Sequence, residues 1–217
     1  MKITAIEPQQ KNPQRVNVYL DGEFAFGLAY IIAAWLKVGQ ELSDEKVASL
    51  KAEDEREVTY QKALHFIGYR PRSSMEVRKN LTKRGVSETL TAETVNRLQQ
   101  NGQLNDEAFA RAWTENRNEF RPRSKSALRM ELRQKGLDEE IIQTVLEEQV
   151  DEEALALAAA RKYARRLEGR EWTEFRKKLG GFLARRGFSY TTLAPVVSEV
   201  WNESQMADGG NISENKE

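Results

Sequence analysis

The chain has 217 residues, 34 of them basic and 34 acidic, with one histidine and no cysteine. Disulfides and thiolate metal sites are therefore excluded, which fits a reducing compartment. The most apolar stretch, Phe24 to Leu36, falls short of the ~20 residues that span a bilayer. Met1 to Glu7 lacks the apolar core of a signal peptide, so a cytoplasmic protein with no membrane partner is expected.

The first elements are β-rich. Val16-Asn17-Val18-Tyr19-Leu20 and Phe24-Ala25-Phe26 flank Asp21-Gly22-Glu23, and an Asp-Gly turn between such runs predicts a hairpin because Gly tolerates positive φ. Lys2 to Glu7 predicts a third strand. A helix is expected over Leu28 to Leu36, and Ser43 is the expected cap of a further short helix with Glu45 and Lys46 in its first turn. Residues 1–55 thus read as a small N-terminal β-hairpin and helix element.

From residue 56 onward the pattern is helical and repeats at an offset of 51. Pro71-Arg72-Ser73 recurs as Pro122-Arg123-Ser124. Val77, Leu128 and Leu179 align, as do Leu81, Leu132 and Leu183, then Gly85, Gly136 and Gly187. Val86, Leu137 and Phe188 follow, and then Val95, Leu146 and Val197. In each copy the apolar pair spaced i, i+4 marks one helix face. The glycine comes just after the last turn, where a left-handed residue ends a helix at low cost. Ser73 with Glu76, Ser124 and Thr173 are the expected caps of these middle helices. Leading helices are expected near 56–68, 106–119 and 152–168, and third helices near 91–101, 138–149 and 190–202. The reading is a mainly α chain of three tandem three-helix, helix-turn-helix-like repeats, over 56–103, 104–150 and 151–202. A polar tail, 203–217, is expected to be disordered.

The neutral total hides alternating charge. Residues 56–136 hold 17 basic and 9 acidic groups, 137–160 hold none and 8, and 161–187 hold 10 and 3. With positions 77/81, 128/132 and 179/183 facing the core, most cations of the middle helices face solvent. They are Arg72, Arg78, Lys79, Lys83 and Arg84 in the first repeat, and Arg123, Lys125, Arg129, Arg133 and Lys135 in the second. The third contributes Arg176, Lys177, Lys178, Arg185 and Arg186. Such a face suits DNA phosphates or an acidic protein surface; the plain alternative is an ordinary solvated helix face. Tyr69, Trp113, Phe120 and Tyr163 have the chemistry to stack on bases but more often pack between helices. His65 stands alone and reads as structural. Asp151-Glu152-Glu153 opens a helix, where acids favour the N-terminal dipole. No phosphate loop, nucleophile–base pair or metal-ligand spacing is present, so no catalytic residue, metal or cofactor is assigned and an enzyme is not expected.

Tyr69-Arg70-Pro71-Arg72-Ser73, followed by Glu76, Leu81 and Lys83-Arg84-Gly85, resembles a signature of the RecX family. Leu104-Asn105-Asp106-Glu107-Ala108-Phe109-Ala110 resembles a second, and Arg117, Leu132 and Lys135-Gly136 continue the match. The resemblance implies tandem three-helix repeats. It also implies a partner: the RecA recombinase, alone or as its filament on single-stranded DNA. Members of the family limit filament growth, ATP hydrolysis, strand exchange and co-protease activity, though a few stimulate. Direct DNA contact is expected to be weak, and a monomer is expected. One departure is Phe120-Arg121-Pro122-Arg123-Ser124, where many relatives carry a Gly-containing turn. Two other readings compete. A helix-turn-helix protein reading DNA directly would need base-reading side chains at the start of a recognition helix. A carboxylate-dependent nuclease would need divalent metal.

Overall fold

The computed structural model describes residues 1–210, with side chains placed through residue 206. Strands β1 (Ile3–Gln9), β2 (Asn12–Leu20) and β3 (Glu23–Ala29) form an antiparallel sheet in that order. Asp21 and Gly22 both have positive φ, 49° and 95°, the pair that a two-residue type I′ hairpin needs. One face of the sheet buries Ile3, Val16, Val18, Leu20, Phe26 and Leu28 against Ala33, Leu42 and Leu50. The helix expected over Leu28–Leu36 is shorter than predicted. Leu28 and Ala29 stay in the ladder opposite Val16 and Arg15, and α1 covers only Tyr30–Ala33. The Ala29 N–H is taken by the Asp54 carboxylate at 2.6 Å, which holds the strand end extended.

Ser43 caps as expected, accepting from the Lys46 N–H, but the helix it starts is not short. Helix α2 runs from Asp44 to Gly68, straight through the boundary expected at 55/56. No Gly or Pro lies between Asp44 and Ile67, so nothing in the backbone breaks it. Its first half buries Leu50 under the sheet, and its second half brings Tyr60 and Ala63 into the first repeat's core. Asp54 pairs with Arg15 at 2.8 Å, and Glu57 with Arg97 at 2.9 Å. The N-terminal element and the first repeat therefore share one helix.

The rest of the first repeat is α3 (Ser74–Lys83) and α4 (Glu88–Gln100). The second is α5 (Asp106–Phe120), α6 (Lys125–Gln134) and α7 (Glu139–Gln149), and the third is α8 (Glu152–Ala164), α9 (Trp172–Ala184) and α10 (Tyr190–Gly210). Val77, Leu81, Leu128, Leu132, Leu179 and Leu183 are all fully buried, as the repeat requires. Gly85, Gly136 and Gly187 have φ of 81°, 77° and 91°. The residue after each sends its N–H back to the carbonyl of Leu81, Leu132 or Leu183, which closes a Schellman cap.

Two end assignments change. The cap of α9 is Glu171, not Thr173, because Trp172 already has helical geometry and packs against Trp201. The last helix continues past residue 202 to Gly210: Arg161 holds Glu203, and the Ser204 hydroxyl donates to the Trp201 carbonyl. Only 211–217 of the expected disordered tail lie outside the described residues. Among those described, no helix is long and apolar enough to cross a membrane.

The chain divides into two compact units, Met1–Arg72 with Glu76–Leu104, and Ser73–Met75 with Asn105–Glu217. Within the second, the Pro-Arg-Ser serines make contacts that a cap alone would not. Ser124 caps α6, accepting from the Ala127 N–H, and its own N–H donates to the Arg186 carbonyl at 3.1 Å. A Cβ on Gly187 would lie 2.6 Å from Ser124 Oγ, so the glycine turn of the third repeat seats directly on the first turn of α6. Ser73 Oγ likewise donates to the Lys135 carbonyl at 2.7 Å, and Met75 lies against Gly136. Each contact also brings an acid from the start of a leading helix: Asp106 accepts from the Ser74 N–H at 2.8 Å, and Glu152 from the Lys125 N–H at 3.0 Å. The acidic start of α8 is thus a capping device, with Asp151 capping its own helix at the Ala154 N–H.

Candidate interaction surface

With Val77 and Leu81 turned inward, α3 presents Arg78, Lys79 and Lys83 to solvent, and Arg84 follows in the exposed turn. Among the described residues none of the four meets a carboxylate. Arg72 behaves differently: it is half-buried, with its guanidinium 4.1 Å over the Phe66 ring.

The second repeat spends most of its charge internally. Glu131 receives Arg123 at 3.0 Å, Arg117 at 2.8 Å and the Trp113 indole N–H at 2.8 Å. Glu139 receives Arg133 at 2.7 Å, and Arg129 lies 3.2 Å away without hydrogen-bond alignment. The Arg133 hydrogen bond holds the Glu139 carboxyl below its ordinary value, and the charge of Arg129 adds to this. Lys135 rests its ammonium 4.7 Å over the Trp113 ring, and Lys125 is half-buried at the start of α6. Exposed pairs of this kind contribute little to stability. Each carboxylate nevertheless cancels a charge that a polyanion would otherwise meet.

On α9, Arg176 and Lys177 are exposed and no described carboxylate pairs with either; the same holds for Arg185. Lys178 is neutralised by Glu174 at 2.7 Å, and Arg186 is half-buried over Phe182. Arg78, Lys79, Lys83 and Arg84 of the first copy and Arg176, Lys177 and Arg185 of the third thus meet no described carboxylate, whereas Arg123, Arg129 and Arg133 of the second are paired. Glu131 and Glu139 make that difference, and no sequence pattern marks them. Spacings of i, i+8 from Arg123 and i, i+6 from Arg133 cross a helix end and follow no simple helical rule.

The aromatics divide evenly. Trp113 stacks on Phe109, and Tyr163 on Phe182 with centroids 4.1 Å apart, so both pack between helices. Tyr69 and Phe120, equivalent at the repeat offset, are both exposed. His65 is exposed too, and its ring hydrogen-bonds the Tyr69 hydroxyl at 2.9 Å one turn on. No cluster of three or more metal-ligating side chains occurs among the described residues.

A three-stranded element sharing a helix with the first of three three-helix modules defines a small helical-repeat protein. Its sequence matches four family models in chain order. The regulatory protein RecX N-terminal domain covers residues 1–43, and the first, second and third RecX three-helix domains cover 60–98, 105–146 and 151–192. It is 31% identical to the regulatory protein RecX of Bacillus subtilis (strain 168), over 93% of this chain and 78% of that one. It is 32% identical to that of Leuconostoc mesenteroides, over 94% and 77%. A crystal structure of a regulatory protein RecX superposes with a TM-score of 0.73 at 26% identity, covering 90% of this chain and 98% of the other. The chain belongs to the RecX family, and so to a family of regulatory proteins.

Proposed function

We propose that the chain binds the RecA recombinase, free or as its filament on single-stranded DNA, and lowers the filament's ATP hydrolysis, strand exchange and co-protease activity. It would then act in recombinational repair and the SOS response. The observation that most supports this reading is the one-to-one match of three consecutive modules with the three domains of a regulatory family. Repeated modules present repeated surfaces, which suits a partner that is itself a repeating polymer. The free cations Arg78, Lys79, Lys83 and Arg84 on one module and Arg176, Lys177 and Arg185 on another supply electrostatic attraction to such a polyanion. The paired cations Arg123, Arg129 and Arg133, with Arg72, Lys125, Lys135 and Arg186, contribute shape more than charge.

The test is the rate of single-stranded-DNA-dependent ATP hydrolysis by the cognate recombinase, titrated with this protein. A fall at substoichiometric protein supports the reading. An unchanged rate together with no direct binding refutes it, and direct helix-turn-helix-type DNA binding then takes first place.

A further inference from the structure

Within the second unit, the end of α5 and the facing sides of α8 and α9 enclose a cleft of about 220 Å³. Its walls include Phe120, Lys162, Tyr163, Arg166, Phe182 and Arg186, and Glu119 is the one carboxylate among its lining residues. Lys162 and Arg166 are exposed, and neither pairs with a described carboxylate. Arg186 is half-buried. It donates from Nη1 to the Pro122 carbonyl at 3.2 Å, while its Nε is buried with no hydrogen-bond partner. Burial, and then the charges of Arg123 and Arg121, push this guanidinium below its ordinary pKa. A partly buried cation beside other cations, with no counter-charge of its own, is an unfavourable arrangement that a bound anion relieves.

The other wall is aromatic. Tyr163 and Phe182 stack nearly parallel at 10°, and the Arg186 guanidinium lies 4.3 Å over the Phe182 ring. Phe120 stands at the cleft 62% exposed, with its apolar ring in solvent. A bare anion would satisfy the cations and leave that ring wet. A ligand that carries both a phosphate and a flat base would satisfy both.

We propose that this cleft binds a nucleotide, with its phosphate between Lys162 and Arg166 and its base on Phe120. The same chemistry is offered by a free nucleotide and by one residue of single-stranded DNA. The second source rests on the filament reading above; the first does not. The test uses the purified full chain without recombinase, so the two ideas fail separately. Calorimetric titrations with thymidine 5′-monophosphate, a short oligothymidylate and inorganic phosphate are compared. The nucleotide, the oligomer or both bind, and inorganic phosphate binds roughly tenfold or more weakly, because stacking is worth about 1–3 kcal/mol per base. Lys162→Gln with Arg166→Gln, and separately Phe120→Ala, each weaken binding about tenfold, with the unfolding midpoint unchanged since all three side chains are exposed. Lys62→Gln, an exposed cation on α2, leaves it unchanged. Binding of the oligomer alone assigns the cleft to single-stranded DNA, and binding of both assigns it to nucleotides generally. No binding by any probe, phosphate binding as tightly as the nucleotide, or equal loss in Lys62→Gln overturns the proposal.

Discussion

Three glycines occupy equivalent positions in the repeat, and the structure predicts that replacing them has unequal cost. Gly85, Gly136 and Gly187 share a left-handed backbone, so an alanine at any of them carries a conformational penalty of about 1–2 kcal/mol. At Gly85 a Cβ meets nothing within 4 Å, and that penalty is the whole effect. At Gly187 the Cβ would lie 2.6 Å from Ser124 Oγ and 2.8 Å from Ala127 Cβ. Neither can swing aside. Ser124 is held by the N–H it gives to the Arg186 carbonyl and by the one its hydroxyl accepts from Ala127. Relief must shift the backbone, which adds about 1–3 kcal/mol of overpacking and a weakened hydrogen bond of about 1 kcal/mol. Gly187→Ala is therefore expected to cost roughly 3–6 kcal/mol. Gly136→Ala is expected to cost a similar amount, since Met75 Cβ itself, not only its flexible end, lies 2.5 Å away. Because the chain has two units, a single global unfolding curve is a poor reporter. Amide hydrogen exchange resolved by helix reads each repeat separately. Equal protection losses in all three variants, or the largest loss for Gly85→Ala, would refute the seating of the glycine turns on the preceding Pro-Arg-Ser segment.

Replacing Arg78, Lys79, Lys83 and Arg84 together by Gln is expected to weaken filament binding and flatten its salt dependence, whereas Arg129→Gln with Arg133→Gln changes both far less; equilibrium binding across a salt series checks this. Glu139→Gln removes the shared partner of Arg129 and Arg133, so affinity for the same polyanion is expected to rise rather than fall in that series. Asp54→Ala strips the Ala29 N–H and Arg15 of their common acceptor; with side chains only 13% and 24% exposed, the loss is about 1.5–3 kcal/mol and appears as faster exchange at Ala29 and along β3, with the third repeat unaffected.

The fold was legible where one residue's chemistry decides a conformation. Asp21-Gly22 announces its turn, and each repeat glycine announces its helix end, because few other residues adopt positive φ cheaply. The paired positions 77/81, 128/132 and 179/183 were legible because a period of 3.6 residues leaves no other face for them. Continuity was harder. Residues 44–67 offer no stop signal, yet the change in composition near residue 55 reads as a boundary. What keeps α2 whole is tertiary: Leu50 serves one core and Tyr60 another. The same holds for α10, whose extension past residue 202 depends on Arg161, four tens of residues upstream in sequence and beside Glu203 in space.

The sequence also holds a puzzle that the contacts resolve. Pro-Arg-Ser stands before the middle helix in the first two copies and is absent from the third, where Thr173-Glu174-Phe175 stands at the same offset. If the motif served only as a cap, the third copy would need it as much as the others, and Glu171 shows that another residue can fill the cap position. Its further task is to receive the glycine turn of the copy that follows: Ser73 meets Lys135 and Ser124 meets Arg186. Among the described residues no glycine turn seats on the matching segment of the third copy. By the same logic Gly85, in the first copy, has no earlier Pro-Arg-Ser to meet and stands in open space. Charge follows a different rule. Cations of the middle helices look alike in the sequence, but their availability depends on carboxylates such as Glu131, which pairs with Arg123 and whose matching positions are Asn80 in the first copy and Phe182 in the third. The repeat thus conveys which residues pack and join, while which residues remain free to bind is written in the differences between its copies.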